Sequence, residues 1–163
     1  MLFRSPAAGT AGQVAIRGPN VIDGYAANPQ ANAESFVNGW FCTGDQGVLD
    51  ERGYLTLIGR IKELINRGGE KIAPREIDEV LLRHPAVAEA VAFGTPHATL
   101  GEEVAAAVVL DGDASEHDLL AHCREHLAAF KVPRKLHVVE AIPRTATGKV
   151  QRRRVAEVIR SGQ

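Results

Sequence analysis

Seven consecutive apolar residues, Val104-Ala105-Ala106-Ala107-Val108-Val109-Leu110, constrain this chain more than any other stretch. A strand with one wet face alternates apolar and polar side chains, whereas a strand covered on both faces does not. The run therefore reads as the central strand of a small sheet. Val87 to Phe93 reads as a second strand, ended by Gly94, and Leu136-His137-Val138-Val139 as a third. Pro74 opens a helix with Ile77, Val80 and Leu81 on its apolar face, and His84-Pro85 stops it. Ser115 and Asp118 form a capping box for a helix that turns Leu119, Leu120, Cys123 and Leu127 inward. A last helix begins near Gln151. With a short strand over Leu64-Ile65-Asn66 and a turn at Gly68-Gly69, the fold class is α+β: a three-stranded sheet core with helices on one side.

The portion before this is punctuated by glycine and aromatic residues. Gln13-Val14-Ala15-Ile16-Arg17 alternates as a strand does and is followed by a Gly18-Pro19 turn. Asn28 caps a short helix with Pro29 at its first position, running to about Phe36. Gly39-Trp40-Phe41 and Thr43-Gly44-Asp45 read as a turn, an aromatic anchor and a second turn. Gly47 to Asp50 and Gly53 to Gly59 form a β-hairpin whose second strand runs into Arg60. Gly59 to Ile72, a charged stretch around a Gly pair, reads as a hinge followed by a loop that can be presented to a ligand.

With 163 residues the chain has room for one average domain or two small ones. No apolar run approaches the roughly 18 residues of a membrane span and no signal peptide is evident, so a cytoplasmic location is expected. A net charge of −1 gives no long-range attraction to nucleic acid or anionic lipid. Cys42 and Cys123 are far apart and form no ligand pattern, which reads as two reduced thiols. Leu2-Phe3-Arg4-Ser5 is what the end of a sequencing adapter encodes, so Met1 to Ser5 reads as a scar on a partial reading frame.

Three places could carry chemistry. Asp45 has two carboxylate oxygens, enough to accept from two vicinal hydroxyls such as those of a ribose; it could equally serve a tight turn. Arg60 and Lys62 stand two apart, and in an extended segment both would face one anion. Pro143-Arg144-Thr145-Ala146-Thr147-Gly148-Lys149 shares Gly-Lys with a phosphate-binding P-loop but has Pro143 where glycine is required and Val150 where Ser or Thr is required. What remains is a mobile loop with hydroxyls, free amides and a long-stemmed Lys149 able to reach a phosphate or carboxylate, or a plain surface loop. His122-Cys123-Arg124-Glu125-His126 fits a zinc-peptidase pattern, but its helix already has an inward leucine face and no third ligand is evident, so no metal site is expected. Arg152-Arg153-Arg154 reads as a solvated helix face.

Gly39-Trp40-Phe41-Cys42-Thr43-Gly44-Asp45, Gly59-Arg60-Ile61-Lys62-Glu63-Leu64-Ile65, Gly68-Gly69-Glu70-Lys71-Ile72 and the Pro143 to Lys149 stretch, in that order and spacing, resemble successive motifs of the acyl-CoA synthetases. These belong to the adenylate-forming superfamily that also holds luciferase and the adenylation domains of peptide synthetases. The resemblance runs from about Gly12 to Arg160. It implies an AMP-forming acid–CoA ligase with ATP, Mg²⁺ and coenzyme A, acting on a small-molecule carboxylic acid. Residues 1–59 would be the last, barrel-like part of a large AMP-binding domain, with 1–11 disordered or a scar, and residues 60–163 a mobile C-terminal lid.

By the same resemblance Asp45 binds the ribose hydroxyls of ATP or the acyl adenylate, Arg60 supports that nucleotide, and Lys62 is the pivot. Gly68 and Gly69 line the pantetheine tunnel, and Lys149 is the catalytic lysine of adenylation. Asn66 stands where some relatives have Lys, so its contact with the adenylate is open. Gly68 to Ile72 together with Ala129-Phe130-Lys131-Val132-Pro133 is most like ligases for oxalate and other small or medium acids. The pyrophosphate-holding loop, the acyl pocket and the Mg²⁺ ligands belong to an N-terminal domain outside this sequence, so the chain reads as an inactive fragment. The alternatives are an adenylation domain that loads a carrier protein, and a non-catalytic nucleotide- or partner-binding module.

Overall fold

The structure is a computed structural model that describes residues 6–161; the scar assigned to Met1 to Ser5 lies outside them. The chain forms two compact units that divide after Lys62. No helix among the described residues is long and apolar enough to cross a membrane.

The first unit is an open antiparallel sheet of four strands, not a closed barrel. β1 (Ala11–Ile16) and β4 (Leu55–Arg60) flank the long β3 (Trp40–Leu49), and β2 (Phe36–Val37) also pairs with β3. α1 (Pro29–Ser35) has the expected cap, the Asn28 side chain accepting from the Ala31 amide. At the hairpin between β3 and β4, Asp50 Oδ1 accepts from the amides of Arg52 and Tyr54, the Asx geometry that makes Asp a turn residue. Two sequence expectations change. Residues 6–10 are held by a turn, Thr10 N–H to Ala7 O and Gly9 N–H to Leu49 O, instead of being disordered. Thr43-Gly44-Asp45 is not a separate turn: it lies inside β3, where three residues oppose the single Val14 of β1.

In the second unit β7 (Val87–His97) and β8 (Gly101–Leu110) form a long antiparallel ladder. β9 (Lys135–Val138) runs parallel to β8 on its other side. These three strands are the expected core. The hairpin of β5 (Ile65–Arg67) and β6 (Glu70–Ile72) extends it to five, joined through Arg67 opposite Gly101. β7 does not end at Gly94, which pairs with Val104; a side chain there would meet the Glu102 carboxylate at 2.6 Å. That glycine marks a close approach within the strand.

The apolar run behaves as its pattern demands. Val104, Ala106 and Val108 join a core with α2 (Pro74–Leu81) and α3 (Glu116–His126), while Ala105 and Ala107 face Val155 and Ile159 of α4 (Arg152–Ser161). The helices therefore cover both faces of the sheet, which corrects the one-sided layer. A strand with no polar face cannot leave one side wet. The capping box of α3 is present: Ser115 Oγ accepts from the Asp118 amide and Asp118 Oδ2 from the Ser115 amide.

The reading of Arg152 as a solvated residue is also corrected. Arg153 and Arg154 are exposed, but the Arg152 guanidinium is largely buried. Its Nη2 lies 2.8 Å from Asp78 Oδ2, its Nη1 donates to Ala92 O at 2.6 Å, and its Nε lies 3.2 Å from Glu63 Oε2. Asp78 Oδ1 in turn accepts from the Ala92 amide. Burial pushes the Asp78 carboxyl above its ordinary value, and Arg152 and the Ala92 amide only partly offset it. At Arg152 burial acts against the charge, but Asp78 and Glu63 outweigh it and raise its pKa.

Removing one partner of a buried pair strands the other. Arg152→Ala is expected to lower the unfolding free energy of this chain by about 3–5 kcal/mol in urea titrations. The double variant Asp78→Leu with Arg152→Met should cost well under the sum of the two single changes; additive losses would show that the two residues do not act as a unit.

Candidate functional site

In the first unit, β3 and β4 bring together two of the residues singled out in the sequence. Asp45 and Arg60 are direct partners in the ladder, and Arg60 Nε lies 2.8 Å from Asp45 Oδ1. The bulge in β3 aims the acid. Gly44 takes φ +76°, Thr43 Oγ1 donates to Val14 O, and the Asp45 amide donates back to Thr43 Oγ1. Arg60 Nη1 adds a bond to Thr43 O at 3.1 Å. No described residue bonds Asp45 Oδ2, which leaves it able to accept from a hydroxyl.

Arg60 and Lys62 do not face one anion. β4 ends at Arg60, and Ile61–Glu63 winds into a 3-10 turn, so the two side chains lose the alternation of a strand. Lys62 Nζ lies instead 3.8 Å from Glu34 Oε2 on α1, with both groups exposed.

In the second unit, Gly68 and Gly69 form a two-residue turn between β5 and β6, with Arg67 opposite Glu70 and φ of +58° and +93°. Side chains resist two successive positive φ values, which is why glycine suits both positions. The start of β8 and the residue before it hold this corner. Gly68 N–H donates to Leu100 O at 2.8 Å, Asn66 N–H to Glu102 Oε2 at 2.7 Å, and Arg67 pairs through two nitrogens with Glu103. Arg67 holds the Glu103 carboxyl below its ordinary value. The Asn66 side chain is exposed and bonds no described residue.

Lys149 sits on a turn that is more ordered than the free loop expected. Arg144 and Val150 form a bridge, Thr145 N–H donates to Lys149 O, Gly148 N–H to Thr145 O and Lys149 N–H to Thr145 Oγ1. The amides of Thr145, Gly148 and Lys149 are thus engaged. Arg144 completes the turn, with Nη2 on Glu89 Oε2 of β7 and Nη1 on Gly148 O. The Lys149 side chain is exposed, and no described residue pairs with its ammonium.

The two ends of one ladder separate these features. Glu89, which anchors the Lys149 turn, pairs with Val109, while the Gly68 corner is bonded at Leu100 and Gly101, opposite His97. From Glu89 to His97 along β7 is about 26 Å at the usual rise of a strand.

The zinc-peptidase pattern brings no metal site together. His122 Nε2 lies 3.0 Å from Val80 O, His126 Nδ1 lies 2.9 Å from His122 O, and no group of three ligating side chains among the described residues could hold an ion. Cys42 and Cys123 are both free thiols; burial pushes Cys123 up to about 11. Sequence reasoning missed Arg144, Glu89 and the Arg67–Glu103 pair. Each is an ordinary surface-type charge in sequence, and only strand register brings the partners together.

Residues 76–149 match the family described as AMP-binding enzyme C-terminal domain. The chain is 57% identical over 151 residues to a probable CoA ligase of Humulus lupulus, covering 91% of this chain and 29% of that protein. It is 55% identical over 148 residues to an oxalate–CoA ligase of Arabidopsis thaliana, covering 90% of this chain and 29% of that protein. Among solved structures it superposes on o-succinylbenzoate CoA synthetase from Bacillus subtilis, in complex with its acyl-adenylate intermediate, with a TM-score of 0.87 and 40% identity. That match covers 91% of this chain and 31% of the other. The chain thus spans less than a third of the length of these relatives.

The Arg67–Glu103 pair should be visible in acid. Because the folded pKa of Glu103 is depressed below 4.5, its contribution is complete above that pH and is lost as the pH falls through the folded value. Glu103→Gln is expected to flatten the decline in urea stability below about pH 5 relative to the unsubstituted chain. Identical slopes for the two proteins would exclude the pair as a contributor.

Proposed function

We propose that this chain, a member of the adenylate-forming superfamily carrying the AMP-binding enzyme C-terminal domain over residues 76–149, is the C-terminal part of an AMP-forming acid–CoA ligase. The reaction has two halves. A carboxylate attacks the α-phosphorus of ATP, releasing pyrophosphate and forming an acyl adenylate; the thiol of coenzyme A then attacks the acyl carbon and AMP leaves. The observation that carries the reading is the placement of the Lys149 turn and the Gly68-Gly69 corner at opposite ends of the β7–β8 ladder. A unit built this way offers a cation or a bare backbone edge to one centre, but not both at once.

In the first half Lys149 bridges the attacking carboxylate and the α-phosphate. Negative charge concentrates there in the transition state, so the ammonium stabilises it more than the ground state. In the second half Gly68 and Gly69, lacking side chains, let the pantetheine arm pass. Asp45 accepts from the ribose hydroxyls through its open carboxylate oxygen, and Arg60 orients that acid while supporting the nucleotide. Asn66, exposed beside the glycine corner, is assigned to the adenylate as well.

The exchange between the halves is assigned to Lys62. Arg60 is fastened to Asp45 within the first unit, and Glu63 to Arg152 within the second. Only Ile61 and Lys62 lie between these fastenings, so their torsions are the ones left to change.

Mg²⁺ is assigned as the partner of ATP, with its protein ligands in the N-terminal part of the enzyme. The partner is an N-terminal domain of the same enzyme, and the substrate class is a small carboxylic acid, the class to which the oxalate–CoA ligase relative belongs. Two unpaired thiols fit a reducing compartment such as the cytoplasm.

Two measurements test the reading. In the complete ligase, Lys149→Ala is expected to slow adenylation about a hundredfold or more while sparing thioester formation from a supplied adenylate. Equal loss in both halves would remove Lys149 from the first step. The chain on its own is expected to form no acyl-CoA, and detectable turnover would overturn its assignment as part of a larger catalyst.

A further inference from the structure

We propose that Arg144, acting through Glu89, is the positioning residue that sets the direction in which Lys149 leaves its turn; this rests on the role of Lys149 proposed above. The turn is closed internally by bonds among Thr145, Gly148 and Lys149. Those bonds shape the turn, while the link to the sheet sets its orientation and limits how often they open. Among the described residues, the hydrogen bond that ties the segment from Pro143 to Val150 to a strand is Arg144 Nη2 on Glu89 Oε2. The same guanidinium donates through Nη1 to Gly148 O at 3.1 Å, the carbonyl of the peptide that leads into Lys149. One planar group thus links β7 to the backbone immediately before the reacting lysine. A lysine at position 144 has no rigid fork and could not hold both acceptors in fixed directions.

The exposure of the pair indicates what it is for. The Arg144 and Glu89 side chains are 45% and 38% exposed, and ion pairs this wet contribute little to stability. Its value is directional. Misplacing a reacting group by about 1 Å can cost on the order of a hundredfold in rate, far more than such a pair contributes to folding. Glu89 lies on β7 and holds the turn from the sheet through Arg144.

The test uses Arg144→Gln, Glu89→Gln and the double variant. In this chain, amide hydrogen exchange at Gly148 and Lys149 is expected to rise several-fold in each single variant, with the urea midpoint nearly unchanged. In the complete ligase each single variant is expected to slow adenylation roughly tenfold, the double no more than either alone, with thioester formation from a supplied adenylate unaffected. Arg144→Lys should fall between Arg144→Gln and the unsubstituted enzyme. Unchanged exchange in both single variants would overturn the anchor without reference to catalysis. Slower adenylation in Arg144→Gln but not in Glu89→Gln would also overturn it, because Arg144 would then act on the substrate directly. If Lys149→Ala itself left adenylation intact, the reading of Lys149 would fall, while exchange would still decide whether Arg144 holds the turn.

Discussion

The second unit depends on how the free edge of β7 is closed. β7 is the terminal strand of its sheet, and a terminal strand presents amides and carbonyls that another chain could pair with. At Ala92 both groups are taken by side chains, the amide by Asp78 from α2 and the carbonyl by Arg152 from α4. The two side chains also bind each other, so a carboxylate and a guanidinium stand in for a neighbouring strand. The two helices lie on opposite faces of the sheet, and the clamp therefore ties both faces together across its edge. It also fixes where α4 begins, because Arg152 is the first residue of that helix.

The clamp reaches one residue further. Arg152 Nε takes Glu63, the first residue of the second unit, so the point where the chain enters this unit is bound into its core. On the other side of the boundary Arg60, the last residue of β4, pairs at the surface with Asp45 of β3. Ile61 and Lys62 lie between these two charged pairs. The sequence between Arg60 and Glu63 has none of the glycine and serine of a flexible linker.

Much of this was legible in sequence where one residue dictates its own surroundings. The unbroken run from Val104 to Leu110 announced a strand covered on both faces, and Asn28, Ser115 and Asp118 announced their caps. The short β6 was not anticipated, because Glu70-Lys71-Ile72 is too short and too charged to show a period. Arg152 looked like its two neighbours, and nothing in a triplet of arginines says which one turns inward. A signal did exist in Asp78, which lies one turn before Leu81 and one turn after Pro74, on the face that α2 buries. An acid there requires a donor from elsewhere in the chain. The bulge that aims Asp45 had a weaker sign, a glycine inside a run of strand-forming residues.

The site at the other end of the second unit divides its two cations by chemistry. Arg144 has a planar fork and holds two acceptors at fixed angles, which suits it to defining a backbone. Lys149 has a compact charge on a flexible stem and bonds no described side chain, which suits the role proposed for it at a centre whose charge changes. Ordering a free lysine side chain on binding costs about 1.5–2 kcal/mol of rotamer entropy. Ordering the peptide units around it as well would cost about 1–2 kcal/mol for each residue. Because the turn is already closed by its own hydrogen bonds, only the first of these remains to be met when the ammonium engages. A fully mobile loop would forfeit that saving, and a lysine already paired with a carboxylate would first have to break the pair. A rigid turn bearing one unpaired lysine avoids both losses.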